Sequence, residues 1–208
     1  MPSANLALRQ FDLASITPEP WRNGVGLTRT LAVGPDSSES AQAGDWLWRV
    51  SVATITQDGR FSCFPGVDRS SLLLAGTELA LHFANGQPVL RLRPGESASY
   101  PGDATPMARI QGAPLQCLNV MTRSGRCQAQ LRSVAQTTQL AGSWLALVIR
   151  GRFSCQSLDG SYMTFMAPAQ VIQAQTATSF VVISMVSDSL LAVVEISPQD
   201  AISGAAGV

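Results

Sequence analysis

Hydrophobic and polar residues alternate in short segments along this chain, and Gly, Pro, Asp and Asn separate the segments. A period of two is typical of β-strands, whereas the spacing of an amphipathic helix is hard to find. A short helix over Phe61–Asp68 is weighed against a loop, which its Pro and Gly favour. The pattern predicts strands over Trp46–Thr54, Ser70–Ala75, Leu79–Phe83, Val89–Leu92, Gln116–Met121, Ser143–Arg150, Tyr162–Met166, Phe180–Val186 and Leu190–Ile196.

One order of strand, Gly turn, strand, hairpin, strand and Pro turn occurs twice. Asn-Gly and Asp-Gly are strong hairpin signals, and Gly86 to Pro94 has the same spacing as Gly160 to Pro168. The matching segments are Leu72–Gly76, Asn85–Gly86 and Leu92–Pro94 in the first copy and Leu147–Gly151, Asp159–Gly160 and Phe165–Pro168 in the second. Each copy resembles the cupin motif. The duplication therefore predicts an all-β fold, a double-stranded β-barrel of the cupin or jelly-roll type with two cupin-like halves.

The length of the chain sets the expected organisation. All-β barrels commonly reach 208 residues as one body, so we expect a single bicupin body over residues 1–208. Within it, the sequence predicts a first barrel over residues 1–132 that carries a pocket, and a second cupin-like half over residues 133–198. Residues 199–208 are expected to form a flexible tail.

Charge and composition narrow the classes of partner. Fourteen basic and fourteen acidic residues cancel and form no block of like charge, which disfavours nucleic acid and membrane surfaces as partners. Every basic residue is Arg, the residue best suited to bidentate recognition of carboxylates. The sequence lacks a secretory leader and a long apolar run, so we expect a cytoplasmic protein. The sequence does not decide whether the protein forms a homodimer.

The residue types in this chain give little support for metal-dependent catalysis or for a catalytic triad. The four cysteines are scattered and form no C-x-x-C pair. Cupin metal sites use two or three His and a Glu, but this chain has one His, His82, which we interpret as a packed or half-buried strand residue. We therefore predict no metal, no cofactor and no catalytic residues.

Two strands carry polar residues that need an explanation. Alternation in Trp46–Ala53 puts Arg49 and Ser51 on the face opposite Trp48, where burial of Arg49 requires an anionic partner. Asp45, Asp68 or a ligand carboxylate could each be that partner. Asn119 shares one face with Cys117 and Met121, and an Asn within a strand points to a buried hydrogen bond, either to a ligand or to a neighbouring backbone.

Two glycine-containing segments complete the candidate site. Pro20–Gly26 combines an aromatic residue, a guanidinium, an amide and two glycines, which permit close backbone approach to a ligand. The segment Asp58–Arg69 contains two Phe and two Arg just before a strong strand. A loop at this place could form the wall of a pocket. An ordinary loop and a solvated surface turn are the alternative interpretations of these two segments.

These four segments, in this order, resemble the HutD/Ves family. The matching runs are Pro20–Thr28, Trp48–Ala53, Gly59–Arg69 and Leu118–Met121. The chain departs from the family pattern at Arg22, Val25 and Leu118, and beyond about Arg132 the resemblance is generic. The resemblance implies a metal-free bacterial bicupin, linked in one lineage to histidine utilisation and in another to a stress response.

The resemblance also implies a function and a set of ligand-binding residues. The expected function is binding or sensing of an organic carboxylate such as formylglutamate, formiminoglutamate or urocanate. A metal-independent isomerase or hydrolase, with Asp68 as its acid or base, is the alternative, and a scaffold for a protein partner is a third. The ligand-binding residues carried over are Trp21, Arg22, Asn23, Gly24, Arg49, Ser51, Phe61, Ser62, Phe64, Arg69, Asn119 and Met121.

Overall fold

The computed structural model describes residues 8–21, 24–35, 45–84, 86–112 and 114–198. Within these ranges the chain forms β-strands and two short 3-10 turns, Leu13–Ser15 and Gly102–Ala104, and no α-helix. The strands are β1 Leu8–Asp12, β2 Glu19–Pro20, β3 Gly26–Pro35, β4 Trp46–Ile55, β5 Gly59–Arg60, β6 Val67–Ala75, β7 Glu78–His82, β8 Leu90–Leu92, β9 Ser97–Pro101, β10 Met107–Gln111, β11 Leu115–Arg123, β12 Cys127–Val134, β13 Thr138–Arg150, β14 Phe153–Ser157, β15 Met163–Met166, β16 Gln170–Ser184 and β17 Leu190–Pro198.

Two antiparallel sheets form the first barrel. The larger has six strands in the order β2-β3-β4-β11-β6-β9, and the smaller has four in the order β5-β10-β7-β8. A buried apolar cluster lies inside this barrel and includes Ile55, Phe61, Leu79, Tyr100 and Leu115. The six-stranded sheet is the wall that carries the candidate site.

A single seven-stranded sheet forms the second barrel. Its order is β12-β17-β13-β16-β14-β15, and β1 pairs with the first part of β16. Gln10 of β1 also reaches β15, where its Nε2 donates to the Phe165 carbonyl at 3.0 Å and its Oε1 accepts from Thr164 Oγ1 at 2.7 Å. A second cluster, which includes Trp144, Phe153 and Phe180, fills this barrel.

The two barrels pack through the outer faces of their large sheets. One continuous cluster joins Val50, Leu72 and Val120 of the first barrel to Leu147 and Val194 of the second. All five side chains are at most 2% exposed. The second barrel therefore covers most of the back of the six-stranded sheet, and the inner face of the sheet is free to form a site.

The predicted fold class is confirmed. Each predicted strand overlaps an observed one, although β13 and β16 are much longer than Ser143–Arg150 and Phe180–Val186. The Phe61–Asp68 segment is a loop that enters β6 at Val67, as its Pro and Gly favour. The described residues include no helix of the length and hydropathy needed to cross a membrane.

Both copies of the repeat have the expected strand order. Gly76 and Gly151 turn the chain between strands with φ of 111° and 76°, a conformation that glycine adopts readily. The hairpin glycines Gly86 and Gly160 also have positive φ, 70° and 72°. The two strands on either side of each hairpin glycine pair antiparallel, β7 with β8 and β14 with β15. Asn85 and the predicted tail, 199–208, lie outside the described residues.

Candidate functional site

Three central strands of the six-stranded sheet, β4, β11 and β6, carry the candidate site on their inner face. Because inward side chains recur at every second residue of a strand, pairing aligns them in rows across the sheet. The rows are an apolar row of Ala53, Cys117 and Leu73, a polar row of Ser51, Asn119 and Ser71, and an arginine row of Arg49, Met121 and Arg69. The apolar row belongs to the core of the first barrel, so this barrel is filled at one end.

A cavity of about 620 Å³ occupies the other end of the barrel. Its volume lies in the range of small-molecule sites, roughly 300 to 1,000 Å³. The lining residues are Glu19, Pro20, Trp21, Thr28, Arg49, Ser51, Phe61, Ser62, Cys63, Phe64, Arg69, Asn119 and Met121. We call this space the arginine cavity.

Arg69 is a buried cation at the wall of the arginine cavity, only 6% exposed. Its guanidinium carbon lies 5.2 to 5.5 Å from three ring centroids, those of Phe61, Phe64 and Tyr100. Nη1 donates to the Ser62 carbonyl at 3.2 Å, whereas Nε has no hydrogen-bond partner. Since cation–π contacts offset only part of the cost of burying a charge, an anion in the cavity would stabilise Arg69.

Arg49 lies in the same row, on the other side of Met121. Its Nη2 donates to Thr30 Oγ1 at 2.9 Å. In the part of the chain that the structure describes, neither Arg49 nor Arg69 forms an ion pair with a carboxylate. The Asp45 carboxylate, one of the partners considered for Arg49, instead lies 3.9 Å from Arg123 Nη2.

Asp68, the other carboxylate considered, lines a different space. Because it precedes Arg69 on β6, its side chain points to the opposite face of the sheet. There it lines a cleft of about 400 Å³ with Ser70, Thr122 and Gln128. Asp68 is therefore neither the ion-pair partner of Arg49 nor an acid or base for the arginine cavity, and both expectations are wrong.

Hydrogen bonds fix the orientation of the polar row. Ser71 Oγ donates to Asn119 Oδ1 at 2.7 Å, and it lies 2.8 Å from the Tyr100 hydroxyl. The single hydroxyl proton of Ser71 goes to Asn119, so Tyr100 is the donor in the second bond. Burial raises the pKa of the Tyr100 phenol, which keeps that proton in place. Asn119 Nδ2 donates to the Cys117 carbonyl at 3.4 Å, which leaves its second N–H for a ligand.

Aromatic side chains form the apolar wall. Trp21 and Phe61 make an edge-to-face contact with centroids 5.9 Å apart and planes at 89°. The Trp21 indole donates from Nε1 to Thr28 Oγ1 at 2.6 Å, which fixes the ring. A Cβ atom on Gly26 would lie 2.6 Å from the Thr54 carbonyl oxygen and 3.3 Å from the Trp21 ring, so only glycine fits beside this indole.

The structure brings together most of the predicted site residues. Nine of the twelve line the arginine cavity: Trp21, Arg49, Ser51, Phe61, Ser62, Phe64, Arg69, Asn119 and Met121. Gly24, with φ of 71°, is exposed and does not line it. Arg22 and Asn23 lie outside the described residues. Ligand binding by this set stays a prediction.

Sequence reasoning missed four lining residues, which are Glu19, Pro20, Thr28 and Cys63. Pro20, Thr28 and Cys63 lie within the segments that carry the family resemblance, so the position of those motifs was a usable signal. Glu19 lies on the two-residue strand β2, opposite Thr28, and no sequence pattern marks it. It is the carboxylate among the lining residues of the cavity.

The donor set of the arginine cavity does not fit a metal ion. Cupin-fold metal sites need several imidazole or carboxylate ligands, whereas this cavity offers two guanidinium groups and a single carboxylate. Among the described residues, no group of three or more His, Cys, Asp and Glu side chains is close enough to hold an ion. His82 is exposed rather than packed or half-buried as expected, because it is the last residue of β7 and burial along that strand ends at Leu81.

The sequence and the fold both have known relatives. A model of the HutD family matches residues 13–184. The chain is 34% identical to Protein Ves of Citrobacter koseri over 137 residues, which cover 65% of this chain and 69% of that protein. The fold is similar to the structure of HutD from Pseudomonas fluorescens SBW25, with a TM-score of 0.75 and 19% identity over 92% of this chain and 99% of that one. A cupin barrel protein from Leptotrichia buccalis matches with a TM-score of 0.59 and 9% identity, over 94% of this chain and 99% of that one.

Proposed function

This chain belongs to the HutD family, and we propose that it binds a small organic carboxylate in the arginine cavity. The observation that carries the proposal is the state of Arg69, a buried cation at the cavity wall whose Nε has no hydrogen-bond partner. A carboxylate in the cavity would supply the missing negative charge, because no carboxylate among the described residues pairs with Arg69.

The rest of the cavity supports the same class of ligand. Arg49 adds a second positive charge to the row that contains Arg69. Asn119 offers an N–H donor from the polar row, because its Oδ1 already accepts from Ser71. An oxygen-rich anion can accept from all of these groups, while a divalent cation would be repelled by the two guanidinium groups.

Among organic carboxylates, we propose an intermediate of histidine breakdown, namely formylglutamate, formiminoglutamate or urocanate. Each has a carboxylate for the arginines and a further polar or planar group for Asn119, Ser51 and the aromatic wall. The role that fits binding without turnover is sensing or buffering of the ligand, in a regulatory or stress-related setting.

A metal-independent enzyme acting on a similar anion is the second candidate. Glu19 favours it, because this carboxylate lines the same cavity and general acid–base catalysis needs such a group. Incubation of the protein with each carboxylate, followed by NMR of the small molecule, separates the two functions. Unchanged ligand after long incubation excludes the enzyme, and conversion that is lost in Glu19→Gln establishes it.

Thermal-shift titration with the three histidine-pathway anions, glutamate and succinate tests the binding proposal. A ligand at 100 times its dissociation constant adds about 2.7 kcal/mol of stability, which corresponds to a shift of several degrees. We expect a saturable shift that is lost in Arg49→Gln and retained in Arg93→Gln, a matched loss of one positive charge at an exposed residue outside the cavity. No shift with any carboxylate would contradict the proposal.

A further inference from the structure

Cys63 is an exposed thiol in the wall of the arginine cavity. It lies in the loop between β5 and β6, and its neighbours Ser62 and Phe64 line the same space. The other three cysteines, Cys117, Cys127 and Cys155, are buried. Burial raises the pKa of the Cys117 and Cys155 thiols to about 12, so these two groups are protected from reagents at neutral pH.

The surroundings of Cys63 bring anions to it. Arg69 is more than nine-tenths buried, its Nε has no partner, and its Nη1 donates to the carbonyl of Ser62, the residue before Cys63. Arg49 lines the cavity as well. With two guanidinium groups against the single carboxylate of Glu19, the cavity is lined by net positive charge, and such a cleft raises the local concentration of anions. The thiol therefore shares a space with the groups that select carboxylates.

We infer that Cys63 is a modification site for carboxylates that carry an electrophilic carbon, of which α,β-unsaturated carboxylates are the simplest type. The inference rests on the proposed function, since the arginines must first hold the carboxylate. It goes beyond that function by assigning a covalent step to a residue that the binding proposal does not use.

The covalent step needs no oxidant and no further reactant. Cys63 loses its proton to solvent, and the Sγ lone pair forms a bond to the β-carbon of the unsaturated carboxylate. The π electrons of the carbon–carbon double bond move to the α-carbon, which takes a proton from water. The product is a thioether that contains every atom of the ligand, held where the arginines bind its carboxylate.

Two alkylating agents that differ only in charge test the inference. Iodoacetate carries a carboxylate and iodoacetamide carries a neutral amide, and in both cases Sγ displaces iodide from the same carbon. Second-order rate constants are measured by intact mass on the full chain, and peptide mapping identifies the modified residue. The ratio of the iodoacetate rate to the iodoacetamide rate is compared with the ratio for 2-mercaptoethanol.

We expect the ratio at Cys63 to exceed that of 2-mercaptoethanol by about 10-fold. It should fall towards the free-thiol value in Arg49→Gln and in Arg69→Gln, and stay unchanged in Arg93→Gln. Alkylation should disappear in Cys63→Ser. Because Arg69 is buried and its variant could misfold, Arg49→Gln keeps the test valid by itself.

The opposite results overturn the inference. These are a ratio equal to that of 2-mercaptoethanol, an elevated ratio that survives both arginine substitutions, or modification at a different cysteine. A free-thiol ratio in a protein that shows a saturable thermal shift with a carboxylate overturns the assignment of Cys63 alone. A free-thiol ratio together with no thermal shift overturns the proposed function as well.

Discussion

Gly34 of β3 and Trp48 of β4 are register partners, and the Trp48 indole occupies the space where a side chain of residue 34 would stand. Trp48 belongs to the cluster that joins the two barrels. The absence of a Cβ at residue 34 therefore makes room for a side chain that packs between the two barrels.

Gly34→Ala should destabilise the protein. The new methyl group would overlap the Trp48 indole, and overpacking of this kind typically costs about 1–3 kcal/mol. Urea unfolding followed by tryptophan fluorescence measures the loss. Val33→Ala, at the neighbouring and largely exposed position, is the control, with an expected change below about 0.5 kcal/mol. Equal stability of the two variants would mean that the indole adjusts without cost.

Tyr100→Phe and Ser71→Ala should destabilise the protein to different extents. Removing the phenol hydroxyl deletes one hydrogen bond, worth about 1 kcal/mol. Removing the Ser71 hydroxyl leaves both Tyr100 and Asn119 with unsatisfied buried groups, at roughly 1–3 kcal/mol for each. Ser99→Ala, which deletes an exposed hydroxyl contact with Ser70, should be nearly neutral in the same urea titrations. Equal losses for the two buried variants would contradict the bridging of Tyr100 and Asn119 by Ser71.

Leu147→Ala should weaken both barrels together. Leu147 is 2% exposed and packs in the cluster shared by the two large sheets, and truncation of such a side chain costs about 2–5 kcal/mol. Tryptophan fluorescence and far-UV circular dichroism should report one coincident transition at lower urea. Phe165→Ala, at a position 57% exposed, should leave the midpoint nearly unchanged. Two separate transitions would show that the barrels unfold independently.

Stability should fall as the pH rises from about 9 towards 12. The folded Cys117 and Cys155 thiols have pKa values raised by burial to about 12 from an ordinary 9, so the unfolded chain loses these protons first. Urea unfolding at pH 8 and pH 10.5 with a phosphine reductant measures the slope. Cys155→Ala should reduce the slope, because Cys117 still contributes, whereas Val182→Ala, at the register partner of Cys155, should retain the full slope. An unchanged slope in Cys155→Ala would contradict the assignment.

The strand faces of the site could be predicted from the sequence. Side chains alternate along a strand, so Arg49 and Ser51 had to share a face opposite Trp48, and the structure confirms this arrangement. Asn119 is disfavoured in strands, and its burial with a hydrogen bond to Ser71 supplies the physical reason that the sequence demanded. The same alternation separates Asp68 from Arg69, so the two side chains could have been assigned to opposite faces.

Partners distant in sequence could not be predicted in this way. Gln10 donates to the Phe165 carbonyl across 155 positions of the chain, and nothing in a local pattern specifies that pair. The lining role of Glu19 has the same origin, because it follows from the pairing of β2 with β3 rather than from its own neighbours. A local pattern predicts elements and faces, and tertiary packing decides which faces meet.

The pairing of β1 and β12 with the seven-stranded sheet limits how this protein can be divided. The described residues start in the second barrel with β1, continue through the first barrel and return through β12, so no single cut yields two fragments with intact sheets. A fragment that ends at Arg132 would interrupt β12 and leave β1 without β16. Producing either barrel alone would therefore need a circular permutation or a relocated first strand.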